Sequence, residues 1–340
     1  MRIHRPNRFL LVRHSQPENK IRENPNVSLA TRTIFLHQAR MIPLRLVTFA
    51  LLLFITSVSA RAGHPFLCCD YGGGKVASVA ADGKIEWEYP CKSPQDIWRL
   101  PNGNTLFCFV NGAIELSPEQ KIIWEYKAPT DVKVEVHACQ PLPDGTVMIV
   151  ECGTSRIIEV GRDGKITKEI KLTTAPEVKL HNQFRGTRKL ANGHYMVTFK
   201  GEGKVVELDG NGKVLREIKV PGDPHGAWAL PDGHLLVTCG DGHKVIELDA
   251  QEKVVWELNE NDLPGNPLRL MAGAQRLPNG NTVFCVYLGH GHIGEQPQVI
   301  EVTRDKKVVW QFDDHVHFKT INQIQLLDIP GDTSKGGVIR

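Results

Sequence analysis

The chain has 340 residues, room for one large domain or two average ones, and its formal charge of +3 hides an uneven distribution. Residues 1–62 carry ten Lys/Arg against only Glu18 and Glu23, which leaves 31 basic and 36 acidic side chains in 63–340. A mildly acidic body lacks the clustered cations that phosphate backbones require, so nucleic acid is not an expected partner.

Residues 1–40 are polar, Arg-rich and without hydrophobic period, and read as a non-native upstream extension. Met41 then opens "MIPLRLVTFALLLFITSVSARAG", one Arg followed by the apolar stretch Leu46–Ile55 and small residues ending Ala60-Arg61-Ala62. That order is an export signal over 41–62. The apolar stretch is short of the ~20 residues a membrane helix needs. The expectation is therefore translation from Met41, cleavage near Ala62, and an exported mature chain, periplasmic or extracellular, with no stable membrane span.

From Phe66 onward two signatures alternate. The first is a turn: "LPNGN" (100–104), "LPDGT" (142–146), "LANGH" (190–194), "LPDGH" (230–234) and "LPNGN" (277–281). Pro presets φ, and Asn-Gly or Asp-Gly accepts the positive φ of a tight hairpin. Around the first and last copies the likeness extends to a decapeptide, "RLPNGNTLFC" and "RLPNGNTVFC". The second signature is two short apolar or β-branched runs joined by a polar turn, as in "KVASVAADGKIEWEY" (75–89), "KVVELDGNGKVLREI" (204–218) and "KVIELDAQEKVVWEL" (244–258). It occurs six times, each with a Lys opening its second run: Lys84, Lys121, Lys165, Lys213, Lys253 and Lys307.

Each full unit is four strands in about 40–48 residues, the period of a propeller blade. Six second signatures follow only five turns, so the first unit lacks an innermost strand, while "TINQIQLLD" (320–328) ends the chain with one to spare. The predicted fold is all-β: a six-bladed β-propeller of four-stranded blades over 63–340, the ring closed by the C-terminal strand completing the first blade. Closure removes the exposed edges that invite aggregation. Trp87, Trp124, Trp256 and Trp310 share one outer-strand register and are expected to pack between blades. Cys108 and Cys285 occupy a position held by Val197 and Val237 in other units, which suits small buried hydrophobes, so mostly free thiols are expected.

The run "VIELDAQEKVVWEL" resembles the repeat of pyrroloquinoline-quinone-type propellers, and "PHGAWALPDG" is similar to blade openings of bacterial arylsulfate sulfotransferases and related exported propellers. The resemblance implies the propeller fold. In the sulfotransferases a funnel His carries the sulfuryl group, helped by Arg and other His. In quinoproteins adjacent cysteines lie over the cofactor, whereas Cys68-Cys69 fall in a second-position strand, so the quinone is not expected here.

Eight of the eleven histidines after residue 62 fall in segments that emerge on one face: His137, His181, His225, His243, His290, His292, His315 and His317. The positions four and five before each turn Leu, predicted to face the axis, hold Asp96, His137, Arg185, His225 and Asn322. With His181 in the loop above, these are the candidate ligand-binding residues. Arg and His together suit an oxyanion, through bidentate and charge-assisted hydrogen bonds, and such binding would weaken as pH rises through about 6.5. His290 and His292 in "GHGHIGEQ", with His315 and His317 in "DDHVH", are weaker candidates for a divalent metal. Two functions follow. One is a monomeric, exported, non-catalytic propeller that binds a small anionic molecule or a protein partner. The other is an arylsulfotransferase-like transferase or lyase acting on a small anionic substrate.

Overall fold

The computed structural model describes residues 63–331 except 266, so the expected upstream extension 1–40 and signal 41–62 lie outside the described residues, as do 332–340. Among the described residues, 24 strands form six four-stranded antiparallel sheets, and the helical segments are two single 3₁₀ turns, Leu180–Asn182 and Lys200–Glu202. Blade one holds β1 (Phe66–Asp70), β2 (Lys75–Val79) and β3 (Ile85–Pro90). Blade two is β4 (Asp96–Arg99), β5 (Thr105–Phe109), β6 (Gly112–Leu116) and β7 (Ile122–Lys127). Blade three is β8 (Glu135–Pro141), β9 (Val147–Cys152), β10 (Arg156–Val160) and β11 (Ile166–Lys171). Blade four is β12 (Phe184–Lys189), β13 (Tyr195–Phe199), β14 (Lys204–Leu208) and β15 (Val214–Lys219). Blade five is β16 (Gly226–Ala229), β17 (Leu235–Thr238), β18 (Lys244–Leu248) and β19 (Val254–Asn259). Blade six is β20 (Leu270–Arg276), β21 (Thr282–Tyr287), β22 (Val299–Val302) and β23 (Val308–Phe312).

The last strand, β24 (Ile321–Leu326), pairs with β1 and becomes the innermost strand of blade one, as the strand count requires. Asp70 fastens this closure, accepting from the Thr320 amide at 2.8 Å and the Lys319 amide at 3.0 Å. The innermost strands then touch in cyclic order, β4, β8, β12, β16, β20, β24 and back to β4.

The core is six apolar clusters, each lodged between two adjacent blades. Outer-strand tryptophans extend these contacts: Trp124 donates to the Gly161 carbonyl of blade three at 3.1 Å, and Trp256 to the Arg304 carbonyl of blade six at 2.8 Å. Glutamines stitch the innermost strands, since Leu326 N donates to Gln275 and Arg99 N to Gln325.

The repeated decapeptide builds the same joint in blades two and six. Gly103 and Gly280 sit at φ +85° and +86°, which only glycine adopts without strain. The closing Asn of each turn, Asn104 or Asn281, donates at 2.6 Å to a glutamate on the third strand, Glu115 or Glu301. His194 and His234 play that part in blades four and five, at 2.8 Å from Glu207 and Glu247. These two histidines are structural fasteners on the turn face.

Candidate functional site

The innermost strands of blades one, three, four and six lose register where the sequence predicts axis-facing residues. The slips fall between Val136 and Ala138, Phe184 and Thr187, Met271 and Ala274, and, in β24, between Ile321 and Gln323. The inserted residues are His137, Arg185-Gly186, Ala272-Gly273 and Asn322. A bulge turns a strand and re-aims its side chains, which makes it a frequent neighbour of functional sites. Gly186 is required here because its amide donates to the His225 carbonyl at 2.9 Å, and a Cβ would lie 3.0 Å from the Gly226 backbone.

Above these bulges opens a cavity of about 510 Å³, a size that suits a small molecule. His181, Arg185, His225 and Asn322 line it, with His290 at its rim. The sequence reading missed Lys200, Asp223, Asp241, Tyr71 and Tyr287, which also line it. Tyr71 and Tyr287 meet edge to face at 6.1 Å, and Tyr287 meets His290 at 5.6 Å, forming one aromatic wall.

Arg185 is the central feature. Its side chain is 3% exposed, its Nε has no hydrogen-bond partner, and it pairs with no carboxylate among the described residues. Its Nη1 reaches the His137 Nδ1 and the Phe184 carbonyl, the latter at 3.2 Å. Because a guanidinium only donates, His137 Nδ1 accepts and its Nε2–H donates to Glu135 Oε2 at 3.2 Å. His181 Nδ1 donates to the same oxygen at 2.6 Å. Burial and the Arg185 charge push His137 down to about 3, so its contact with Glu135 is a neutral-ring hydrogen bond rather than an ion pair. The two imidazole donors hold Glu135 down at about 2.

Burial and Arg185 also depress His181, and they hold His225 well below its usual value. His225 lines the cavity, and its ring has no hydrogen-bond partner among the described residues. All three histidines are therefore biased toward the neutral form, which counts against the pH dependence expected near 6.5. Lys200 is pushed down to about 8 by burial and Arg185, while Asp241 pulls the other way, and its ammonium contacts Asp223. It remains a cation at neutral pH.

Not every candidate reaches the cavity. Asp96 lies outside it, 1% exposed and ion-paired with Arg188 Nη1 at 2.8 Å. His137 stands behind Arg185. Asn322 is tied to the Pro94 carbonyl at 3.2 Å and leaves its Oδ1 buried without a partner. The four loop histidines do not converge on a metal site. His292 and His317 each turn to a carboxylate three residues away, Glu295 and Asp314. His315 takes Asp313, and His290 faces Asp241 of the preceding blade at 3.4 Å. Clusters with metal-ligand spacing among the described residues are instead Glu135, His137 and His181, and Asp232, His234 and Glu247.

A signal for the missed residues was present. Lys200 and Asp241 lie in loops joining second to third strands, and Asp223 precedes an innermost strand, the same segments used to sort the histidines. Applying that sort to every ionisable residue finds them.

No family model matches the chain, and no curated protein does. Among solved structures, a virginiamycin B lyase from Staphylococcus aureus is 15% identical with a TM-score of 0.53, covering 79% of this chain and 97% of its own. A chain of a nidogen/laminin complex is 13% identical with a TM-score of 0.56, over 77% and 97%. At such identities both show the propeller fold alone. A protein of unknown function from Bacteroides caccae is 31% identical with a TM-score of 0.70, over 77% of this chain and 98% of its own. At that identity and coverage the relationship is one of descent as well as shape, and the chain belongs to the same propeller family as this Bacteroides protein.

Proposed function

We propose that this protein is an exported, monomeric, non-catalytic propeller that binds a small anionic molecule in its funnel. The observation that carries the reading is Arg185, a buried guanidinium at the cavity wall with no carboxylate paired to it among the described residues. An uncompensated buried charge is costly, and an anion with two acceptor oxygens offsets that cost through a bidentate contact. Lys200 adds a second cation, and His225 and Asn322 add polar groups without full complements of partners. Asp223 and Asp241 on the same wall favour ligands that also carry a hydroxyl or amino donor.

The test is thermal shift of native protein and Arg185→Ala against sulfate, phosphate and small hydroxycarboxylates. Losing one charge-assisted bidentate contact costs a few kcal/mol, roughly a hundredfold in affinity. Equal stabilisation of both proteins would remove Arg185 from the site. No response to any anion would leave a wet polar channel.

A transferase or lyase is the second reading, supported by the repeat's resemblance to arylsulfate sulfotransferases and by Lys200, whose depressed value suits proton transfer near neutral pH. Turnover of an aryl sulfate lost in Lys200→Met would favour it over simple binding.

A further inference from the structure

We propose that Glu135, His137 and His181 form a divalent transition-metal site at the edge of the funnel, completed by an anion shared with Arg185. The three ligand atoms already converge. Glu135 Oε2 lies 3.2 Å from His137 Nε2 and 2.6 Å from His181 Nδ1. A tetrahedral ion with bonds of about 2.0–2.1 Å sets its ligands ~3.3 Å apart, so these two separations need to open by less than about 1 Å, and all three ligand atoms lie within 4.8 Å of one another. Two imidazoles and one carboxylate with a vacant fourth position form a donor set suited to zinc and its neighbours.

The surroundings supply what a bound ion needs. His137 is 3% exposed, and its Nδ1 lies 2.9 Å from the Phe184 carbonyl. The metal-bound form takes the other tautomer: Arg185 turns from Nδ1 toward the anion, Nδ1–H donates to the Phe184 carbonyl, and Nε2 offers its lone pair to the ion. The carbonyl bond is the outer contact that orients metal-binding imidazoles. On binding, the Nε2 proton that now faces Glu135 leaves and Nδ1 takes one up, so the ring stays neutral. His181 comes from the 3₁₀ turn Leu180–Asn182, so it can adjust while strand β8 holds the other two ligands.

Arg185 opposes an ion here. Its Nη1 lies 3.1 Å from His137 Nε2, and two cations at such range repel strongly. The conflict is resolved by an anion that fills the metal's open position and bonds to Arg185. This part of the proposal rests on the anion-binding reading above. Metal and anion must then strengthen each other's binding by the same factor. The second cluster, around His234, has no such vacancy because Glu247 is already taken by Arg276 at 2.7 Å and by Arg304.

Titration of chelator-treated protein with Co²⁺ and Zn²⁺ tests the site, using the visible absorption of tetrahedral Co²⁺ and calorimetric stoichiometry. One ion per chain is expected. His181→Ala and Glu135→Gln should weaken binding by more than about 100-fold, since even an outer-sphere partner is worth roughly 10- to 100-fold. His181 is half-exposed on a loop, so its loss should leave the fold intact, and His234→Ala should leave binding unchanged. Sulfate should shift the Co²⁺ band and tighten binding in native protein, but not in Arg185→Ala. Absence of stoichiometric binding, or binding indifferent to both ligand variants, overturns the metal site. Binding indifferent to sulfate overturns the shared anion. Sulfate stabilising the metal-free protein without any Co²⁺ site would leave the funnel reading standing and the metal site refuted.

Discussion

Arg188 of blade four reaches past blade three to Asp96 of blade two, with its Nη1 2.8 Å from Oδ2 and both side chains less than a tenth exposed. The pair ties together two innermost strands that are not neighbours in the ring. Trp98 lies beneath the guanidinium at 5.0 Å, adding a cation–π contact. This use of Asp96 explains why a residue in axis-facing register is unavailable to a ligand.

Breaking that pair on one side should be expensive. Asp96→Ala leaves the Arg188 charge buried without its carboxylate, a change worth about 3–5 kcal/mol. Chemical denaturation should show a lower midpoint at unchanged slope. The double variant Asp96→Leu with Arg188→Met should recover most of the loss. A single variant within ~0.5 kcal/mol of the native protein would mean that the pair is not a fastener.

Closure by β24 gives a second test. Ending the chain before Thr320 removes the innermost strand of blade one and the Thr320 amide that bonds to Asp70. It also uncovers the apolar cluster containing Ile321, Ile324 and Leu326. The truncated protein should aggregate or unfold without cooperativity, as judged by calorimetry and size-exclusion chromatography. A monomeric, cooperative truncation would show that five complete blades suffice.

The ring was legible because repeats report themselves: a turn that needs Gly at positive φ and a strand pair that needs alternation recur at one period. Counting turns against strand pairs located the closure. The axis-facing register was also legible, since it is a fixed distance from the turn Leu. Two things were not. The bulges at His137 and Arg185 decide which neighbour each side chain meets, and the period does not encode them. Pairings such as Asp96 with Arg188 or Glu135 with His181 arise only when blades converge, so residues 46 or 92 apart become partners. Lys200 and Asp241 escaped notice because they lie in loops outside the repeat's register.

The cysteines offer a third test. Seven of the eight are buried, and all eight are free. Burial pushes up the thiols of Cys68, Cys91, Cys108, Cys139, Cys152 and Cys239, Cys91 and Cys239 to about 12, so little reactive thiolate forms there. Thiol titration of denatured, unreduced protein should find more than four free, and eight if the native state is as described. Finding none would mean that the strands accommodate bridges between blades.

The depressed histidines should make the fold acid-sensitive. An unfolded His binds a proton near pH 6.5, whereas His137 in the fold does so only at about 3 and His225 well below its usual value. Between those limits the unfolded state holds more protons, so stability present above pH 6.5 is lost as pH falls. Glu135, held at about 2, continues the loss below the usual carboxylate range. His64, raised by Glu301 and Asp328, and His234, raised by Glu247, act in the opposite sense. His225→Gln should flatten the decline of unfolding free energy below pH 6.5, and an unchanged slope would show that His225 titrates normally.

Anion binding should respond to a different group. Burial and Arg185 disfavour the charged forms of His181 and His225, so their protonation adds less charge to the funnel than free imidazoles would. Lys200 sits near 8 because burial and Arg185 disfavour its charged form. Below that value its ammonium attracts an anion beside Arg185; above it the attraction is lost. Affinity for sulfate should therefore fall as pH rises from 7 to 9, while Arg185 stays charged throughout. Lys200→Met should bind more weakly at pH 7 and lose this dependence, and Asp223→Asn separates the cation itself from the ion pair that holds it. Sulfate stays fully ionised over the range, so any change belongs to the protein. An affinity profile that bends at 6.5 instead, and survives Lys200→Met, would return the titration to the histidines and place Lys200 outside the anion's reach.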